Sequence, residues 1–225
     1  MKDRYKHFIF DLDGVLVDSK EMYLNAIIGG CREAGIEINK GGLAESITPD
    51  IKVWVDSMIS LHGKKTVKKI IDSVREYVCS EGWEVVVPVE NADNLVNLLA
   101  EEGKSISLVS NSPSVYANKV LERMGIHKYF GFRISCPEQR IDKQEGIKRA
   151  IEKSITNPSR AVYLCDTAID IFFASKAGVD SICIFSTASW DYPHRERVEG
   201  QKPFLIASSI GDIIKLLKDD AKGTP

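Results

Sequence analysis

Two aspartates, Asp11 and Asp13, follow a short apolar run near the start of the chain, and Gly14 comes directly after them. A continuous apolar run such as Phe8–Phe10 is typical of a buried parallel strand. Open α/β sheets bind their ligands outside the carboxyl ends of the strands. Because side chains alternate along a strand, we expect both carboxylates on one side of the chain, with Leu12 pointing away.

The paired carboxylates indicate a cation and, with it, phosphate chemistry. Two like charges this close do not both stay ionised in a protein without a compensating positive charge. Carboxylate oxygens suit hard ions, and Mg²⁺ commonly accompanies phosphorylated substrates. The sequence therefore predicts a Mg²⁺ site that acts on a phosphate ester. Taken alone, the stretch is also compatible with an exposed turn that carries two solvated aspartates.

A second acidic pair, Asp166 and Asp170, follows the apolar run Ala161–Cys165. The run predicts another strand, so Asp166 also stands at a carboxyl end of the expected sheet. The alternative is that Asp166 and Thr167 only cap the helix that follows.

Two other stretches offer ligands for a phosphate. The run Ile106–Ser110 ends in a hydroxyl, which can donate to a phosphoryl oxygen, and Asn111 follows it. The alternative is a turn that caps the next helix, for which Ser112 and Pro113 predict the N-cap and the first helical position.

Lys143 lies at the start of a predicted helix, where the helix dipole disfavours a positive charge. A nearby anion or carboxylate would explain this position better than solvent does. The alternative is an ordinary surface lysine.

The stretch Asp11–Ser19 resembles the first motif of the haloacid dehalogenase superfamily, in the phosphatase-type version with two aspartates. The resemblance implies that Asp11 is the nucleophile that becomes an aspartyl phosphate. It implies that Asp13 is the general acid and base. It also implies that Asp11, Asp166 and the backbone carbonyl of Asp13 hold Mg²⁺, and that Asp170 reaches the metal through a bound water or a hydrogen bond.

The same resemblance assigns phosphate binding to Ser110, Asn111 and Lys143. The chain departs from the family pattern at two places. Gln144 follows the lysine, where the family often has proline, and Cys165 stands where the family commonly has glycine. We expect Cys165 to be a small buried side chain without a chemical role, since an acidic neighbourhood disfavours a thiolate.

The distribution of apolar residues predicts an α/β fold with two domains. Three helical stripes and no strand pattern occur between about residues 20 and 82, and strands alternate with helices from Val85 onward. The pattern predicts a parallel sheet with helices on both faces for residues 1–18 and 85–225, and an inserted helical domain for residues 19–84. The resemblance implies that the sheet is a Rossmann-like core and that the insertion is an α-helical cap. The last five residues, Ala221–Pro225, read as a frayed tail.

Composition limits the partners of the chain. Its 225 residues include 30 lysines and arginines against 32 aspartates and glutamates, so no basic field favours nucleic acid or an anionic membrane. The five cysteines form no C-x-x-C pair, which argues against a zinc site or a disulfide framework. We expect a cytoplasmic protein whose partner is a small phosphorylated metabolite; the sequence does not specify an oligomeric state.

These observations predict a Mg²⁺-dependent phosphatase that hydrolyses a small phosphate monoester through an aspartyl phosphate, most similar to the phosphoglycolate phosphatase-like group. A phosphosugar mutase of the same superfamily would use the same core but return the phosphoryl group to its substrate. The same motifs allow two further hypotheses: a phospho-accepting signalling module and a catalytically silent binding protein. The position of both aspartates at the first strand end, followed by a helical insertion, disfavours the signalling module.

Overall fold

The computed structural model describes residues 1–47 and 51–220. The chain divides into two compact units: residues 1–18 together with the chain from Val87 onward, and Ser19–Val86. These divisions fall close to the predicted core and cap. The predicted frayed tail, residues 221–225, lies outside the described residues.

The strands, in chain order, are β1 (His7–Phe10), β2 (Val17–Asp18), β3 (Val87–Pro88), β4 (Ser105–Ser110), β5 (Phe132–Ser135), β6 (Ala161–Cys165), β7 (Asp180–Ile184) and β8 (Leu205–Ala207). The helices are α1 (Lys20–Glu33), α2 (Lys40–Ser46), α3 (Ile51–His62), α4 (Lys64–Tyr77), α5 (Trp83–Val85), α6 (Ala92–Glu101), α7 (Ser114–Arg123), α8 (Cys136–Gln139), α9 (Lys143–Ser154), α10 (Ala168–Lys176), α11 (Arg195–Gly200) and α12 (Ile210–Asp220). A π-helical turn, Val78–Gly82, joins α4 to α5.

The first unit contains a six-stranded parallel sheet in the order β5-β4-β1-β6-β7-β8. Helices α6 and α12 pack against each other, and so do α9 and α10, with α6 and α9 both contacting β4. The prediction of a Rossmann-like parallel sheet flanked by helices is therefore confirmed. Strand β8 was not predicted, because its three residues form no apolar run long enough to read as a strand.

Strand β1 lies at the centre of the sheet, and all four of its residues are buried. In the register of the sheet, Phe10 pairs with Leu108 of β4 and with Leu164 of β6. A strand buried on both faces needs apolar side chains throughout, which is why this segment reads as a continuous apolar run. The carboxyl ends of three neighbouring strands are thereby brought level.

Strands β2 and β3 form a separate two-stranded antiparallel sheet. Val17 pairs with Pro88 and Asp18 with Val87, so β2 and β3 bring together the two places where the chain leaves and re-enters the first unit. The sequence analysis did not predict this pair, since two residues are too few to show a periodicity.

The second unit is helical, and its core is formed mainly by α1, α3 and α4. Helices α1 and α4 approach closely at Gly30, where an added Cβ would lie 3.1 Å from the backbone oxygen of Ile70. One cluster of buried apolar residues in this unit consists of Leu24, Ile27, Cys31, Leu43, Trp54, Met58, Val67 and Ile70. The predicted helical stripes thus form the core of this unit, although α2 was not predicted.

Candidate active site

Three strand ends meet at one edge of the sheet and carry the candidate site. Asp11 follows β1, Ser110 ends β4, and Asp166 follows β6. The Asp11 backbone N–H donates to the Leu164 carbonyl oxygen at 2.9 Å, which extends the pairing of β1 and β6 by one residue. The site therefore lies where parallel α/β sheets bind their ligands.

The central feature of this edge is a buried cluster of three carboxylates. Asp11, Asp166 and Asp170 are 4 %, 1 % and 2 % exposed, and one oxygen from each lies within 4.8 Å of the others. Like charges at this spacing in a buried site require positive charge. All three donors are carboxylate oxygens, the ligand type that hard divalent cations prefer, so these residues fit a divalent metal ion.

Lys143 supplies one positive charge to this cluster from the first residue of α9. Its side chain is buried, and its Nζ forms an ion pair with Asp11 Oδ2 and lies 2.7 Å from Asp170 Oδ1. Asp142 caps the helix by accepting the Glu145 N–H at 2.8 Å. The two carboxylates are the nearby anions that the sequence analysis expected, and they explain a lysine at a helix start.

Burial sets the charge balance of the cluster. Burial raises the pKa of Asp11 to about 7, against the lowering effect of Lys143. Burial also raises the pKa of Asp166 well above its usual value, and the charges of Asp11 and Asp170 add to that rise. For Lys143, burial lowers the pKa, but the charges of Asp11 and Asp170 outweigh burial and raise it. When all three carboxylates are ionised, one ammonium leaves an excess of negative charge, which a divalent cation would compensate.

Gly14 is required by the close approach of the first turn to the cluster. Its φ is +77°, and an added Cβ would lie 2.1 Å from Asp166 Oδ2. Any side chain here would combine a disfavoured backbone conformation with a clash against a carboxylate of the cluster. The glycine after the two aspartates therefore follows from the geometry of the site.

Asp13 is half-buried, and its carboxylate is held by hydroxyl groups. Its Oδ1 accepts a hydrogen bond from the Tyr116 hydroxyl at 3.0 Å, and its Oδ2 accepts one from Ser112 Oγ. Ser112 was predicted as the N-cap of the next helix, and that prediction is wrong. Helix α7 begins at Ser114 with Pro113 at the N-cap, and the Ser112 hydroxyl is used by Asp13 instead.

The candidate phosphate ligands differ in burial. Ser110 is 2 % exposed, and its Oγ accepts the Ser112 N–H at 3.0 Å, whereas Asn111 is exposed. Cys165 is fully buried, and burial raises its thiol pKa well above the usual value. Burial therefore favours the protonated thiol over the thiolate at this position.

The loop after β7 also contacts the cluster, and the sequence analysis missed it. The Trp190 N–H donates to Asp166 Oδ2 at 2.7 Å, and Ser189 Oγ donates to the Asp166 backbone oxygen at 2.7 Å. Asp191 accepts the Ala168 N–H at 2.6 Å. The available signal was positional: polar residues following a predicted strand stand at the same edge of the sheet.

Comparison with known proteins identifies the family. The sequence profile of the haloacid dehalogenase-like hydrolases matches residues 8–184, which span both the acidic cluster and the helical unit. The chain belongs to this family. The predicted family is therefore confirmed, and so is the expected enzyme class, a hydrolase of the phosphatase type.

Individual relatives of this haloacid dehalogenase-like chain are distant but extend over nearly its full length. Pyrophosphatase PpaX of Bacillus cereus (strain G9842) is 21 % identical over 218 residues, which cover 96 % of this chain and 98 % of that protein. A putative phosphatase structure from Clostridium difficile is 25 % identical with a TM-score of 0.80, covering 95 % of this chain and 99 % of that one.

A third relative is a family hydrolase from Deinococcus radiodurans, whose structure was determined with bound phosphate and sodium. It is 15 % identical with a TM-score of 0.73, and 99 % of each chain is covered. At this identity the likeness shows the shared fold. Within the parts of the chain that the structure describes, no helix combines the length and the apolar character that a bilayer crossing requires.

Proposed function

We propose that this protein is a Mg²⁺-dependent phosphatase that hydrolyses a small phosphate monoester through an aspartyl phosphate on Asp11. One observation carries the proposal. The buried Asp11 carboxylate, at the end of the central strand, lies in a carboxylate cluster with Asp166 and Asp170 and forms an ion pair with Lys143. Such an arrangement suits phosphoryl transfer, which depends mainly on positioning and on neutralising charge.

The metal would be held by Asp11, Asp166 and the backbone carbonyl of Asp13, with Asp170 contributing through a bound water or a hydrogen bond. When bound, Mg²⁺ would supply positive charge to the phosphate oxygens and to the carboxylates around them. The all-oxygen donor set and the excess of negative charge in the cluster support this choice.

In the first step, a carboxylate oxygen of Asp11 attacks phosphorus and the ester P–O bond breaks. Asp13 gives its proton to the departing oxygen, so the alcohol leaves neutral. In the second step, Asp13 takes a proton from water while that water attacks phosphorus. The bond between phosphorus and Asp11 then breaks, which releases inorganic phosphate and restores both aspartates.

The phosphate would be held by three residues during both steps. Lys143 provides a positive charge beside Asp11, and Ser110 places a hydroxyl at the end of the neighbouring strand. Asn111 directly follows Ser110 and is exposed, so its amide lies outside the core. We propose that Lys143 compensates charge, and that Ser110 and Asn111 donate hydrogen bonds to the phosphoryl oxygens.

We propose that the helical unit, Ser19–Val86, is a cap that selects the substrate. The relatives suggest small phosphorylated compounds: PpaX is named a pyrophosphatase, and a structural relative from Haemophilus somnus is described as a predicted phosphoglycolate phosphatase. The candidate substrates are therefore small phosphate esters, 2-phosphoglycolate among them, and pyrophosphate.

Phosphate release from a panel of phosphorylated metabolites, measured with Mg²⁺ and with excess chelator, tests the proposal. We expect release only with the metal, and we expect Asp11→Asn to abolish it while circular dichroism shows an unchanged fold. Asp180→Asn, at the opposite end of the sheet, is the matched control and should keep turnover. An Asp11→Asn protein with wild-type release would overturn the nucleophile assignment, and isomerisation of a hexose phosphate without phosphate release would identify a mutase.

A further inference from the structure

We propose that Tyr116 and Ser112 are positioning residues that fix the orientation of the Asp13 carboxylate for proton transfer to the leaving group. This inference rests on the proposed function, because it assumes that Asp13 is the general acid. It goes beyond that function because it gives a role to two hydroxyl groups that the mechanism itself does not use.

The two hydroxyls contact different oxygens of the same carboxylate. The Tyr116 hydroxyl donates to Oδ1 at 3.0 Å, and Ser112 Oγ donates to Oδ2. A carboxylate held at one oxygen can still turn about that contact. A carboxylate held at both oxygens has its plane fixed, which sets the direction in which it can pass a proton.

The two donors are themselves rigid. Tyr116 is fully buried in the first turn of α7, and Ser112 is 3 % exposed. The backbone of Ser112 is held on both sides, because its N–H donates to Ser110 Oγ at 3.0 Å and its carbonyl oxygen accepts from Ser135 Oγ at 2.8 Å. The Asp13 carboxylate is thus attached to a segment whose position the ends of β4 and β5 determine.

This segment also links the two halves of the reaction. Ser110 is proposed to hold the phosphoryl group, and its Oγ accepts a hydrogen bond from the Ser112 backbone N–H. The Ser112 hydroxyl in turn donates to Asp13, the proposed acid. A fixed distance between the phosphoryl group and the acid favours proton delivery to the departing oxygen. Small errors in such positioning reduce rates strongly.

Loss of this orientation should matter most when the departing oxygen is strongly basic. Phenyl phosphate and p-nitrophenyl phosphate have similar shapes, but phenoxide is much the stronger base and needs the proton more. The value of kcat/KM reports the steps up to departure of the leaving group, so it isolates the step in which Asp13 acts as an acid. The ratio of kcat/KM for the two substrates therefore measures acid catalysis.

The decisive experiment measures that ratio, with Mg²⁺ present, for wild type and Tyr116→Phe. The variant removes one oxygen and keeps the buried ring. We expect kcat/KM for phenyl phosphate to fall about tenfold and that for p-nitrophenyl phosphate to fall no more than about twofold, a fraction of the usual effect of a general acid. Ser112→Ala should shift the ratio in the same direction.

Tyr5→Phe is the matched control. Tyr5 is also fully buried, and its hydroxyl donates to the Asp180 carboxylate at 2.8 Å. Tyr5 precedes β1 and Asp180 begins β7, so this pair lies at the amino end of the sheet, whereas Asp13 follows the carboxyl end of β1. It should leave the ratio unchanged even if it lowers thermal stability. Equal losses on both substrates in Tyr116→Phe, or no loss on either, would overturn the inference.

Different results would overturn the proposed function and the positioning role. If Asp11→Asn hydrolyses both substrates at the wild-type rate, the mechanism is wrong, and the positioning role falls with it. Asp13→Asn should lower kcat/KM for phenyl phosphate more than for p-nitrophenyl phosphate. If it does so but Tyr116→Phe and Ser112→Ala do not, the mechanism stands and the positioning role alone is overturned.

Discussion

Lys143 Nζ lies 2.7 Å from Asp170 Oδ1, and both side chains are buried at the carboxyl edge of the sheet. Because the same ammonium group also contacts Asp11, one lysine joins the end of β1 to the first turn of α10. Removing one member of a buried ion pair leaves an uncompensated charge, which is strongly unfavourable.

Replacing Lys143 with methionine should therefore destabilise the metal-free protein. At pH 8 we expect a loss of about 3 kcal/mol in the free energy of unfolding, measured by urea denaturation with excess chelator. Lys148→Met, on the same helix, is the control for loss of a lysine and should change stability by less than about 0.5 kcal/mol. An equal effect of the two substitutions would contradict the charge balance described for the cluster.

Replacing Gly14 with alanine should disturb the proposed metal site as well as the local backbone. The positive φ costs about 1–2 kcal/mol for any non-glycine residue, and the added Cβ would meet Asp166 Oδ2. Gly178→Ala is a matched control, because Gly178 has a φ of +75° but no atom within 4 Å of an added Cβ.

Calorimetric titration with Mn²⁺, together with thermal unfolding, separates the two effects. Both variants should lose stability, but only Gly14→Ala should also bind the metal at least tenfold more weakly. If Gly178→Ala weakened binding equally, the clash with Asp166 would not be the cause.

Mg²⁺ should stabilise the wild-type protein and have little effect on Asp166→Asn. A ligand present at about 100 times its dissociation constant adds about 2.7 kcal/mol of stability. Without metal, Asp166→Asn should be more stable than the wild type. Burial and the neighbouring carboxylates make ionisation of Asp166 unfavourable, which is why its pKa is raised, and asparagine does not ionise. Thermal unfolding with Mg²⁺ and with chelator measures the stability difference between the two proteins in each condition. A variant stabilised by Mg²⁺ as much as the wild type would exclude Asp166 as a ligand.

Stability should fall as the pH drops from about 6.5 to about 4 because of His7. This side chain is fully buried between the hydroxyls of Ser107 and Ser154, each 2.8 Å from a ring nitrogen, and burial lowers its pKa to about 4. In that range the unfolded chain binds a proton that the native state does not, so unfolding becomes easier. Above pH 6.5 both states are neutral and this contribution is constant.

The raised pKa of Asp11 has the opposite effect on stability throughout this pH range, so the contribution of His7 must be measured by comparing variants. We expect the stability difference between wild type and His7→Gln to shrink steadily as the pH falls from 7 to 4.5. Urea denaturation at a series of pH values measures it. A difference that does not change with pH would show that His7 titrates alike in the folded and unfolded states.

Part of the candidate site could be located from local sequence pattern, because its carboxylates follow apolar strand residues. Asp11 and Asp166 each end an apolar run, and the sheet register brings such ends together. Lys143 was identified because it opposes the helix dipole, and that conflict indicated a partner. Family resemblance, not pattern, then supplied the roles of these residues.

The contacts that the sequence did not reveal depend on long-range geometry. Tyr116 follows the predicted helix start at Pro113, and nothing local indicates that its hydroxyl reaches Asp13. Ser112 has the residue type of an N-cap, but a tertiary partner outcompetes the helix for its hydroxyl. Trp190 contributes through its backbone N–H, which every residue except proline possesses, so its identity carries no signal.

The pairing of Asp18 with Val87 has a consequence for how the chain could be rebuilt. The two ends of the intervening segment are already antiparallel neighbours, so joining them requires only a tight turn such as Asn-Gly. The sheet would keep its strand order and register after such an excision, since none of its strands lies within Ser19–Val86. We therefore expect that the helical segment can be replaced by a different one joined at the same two points.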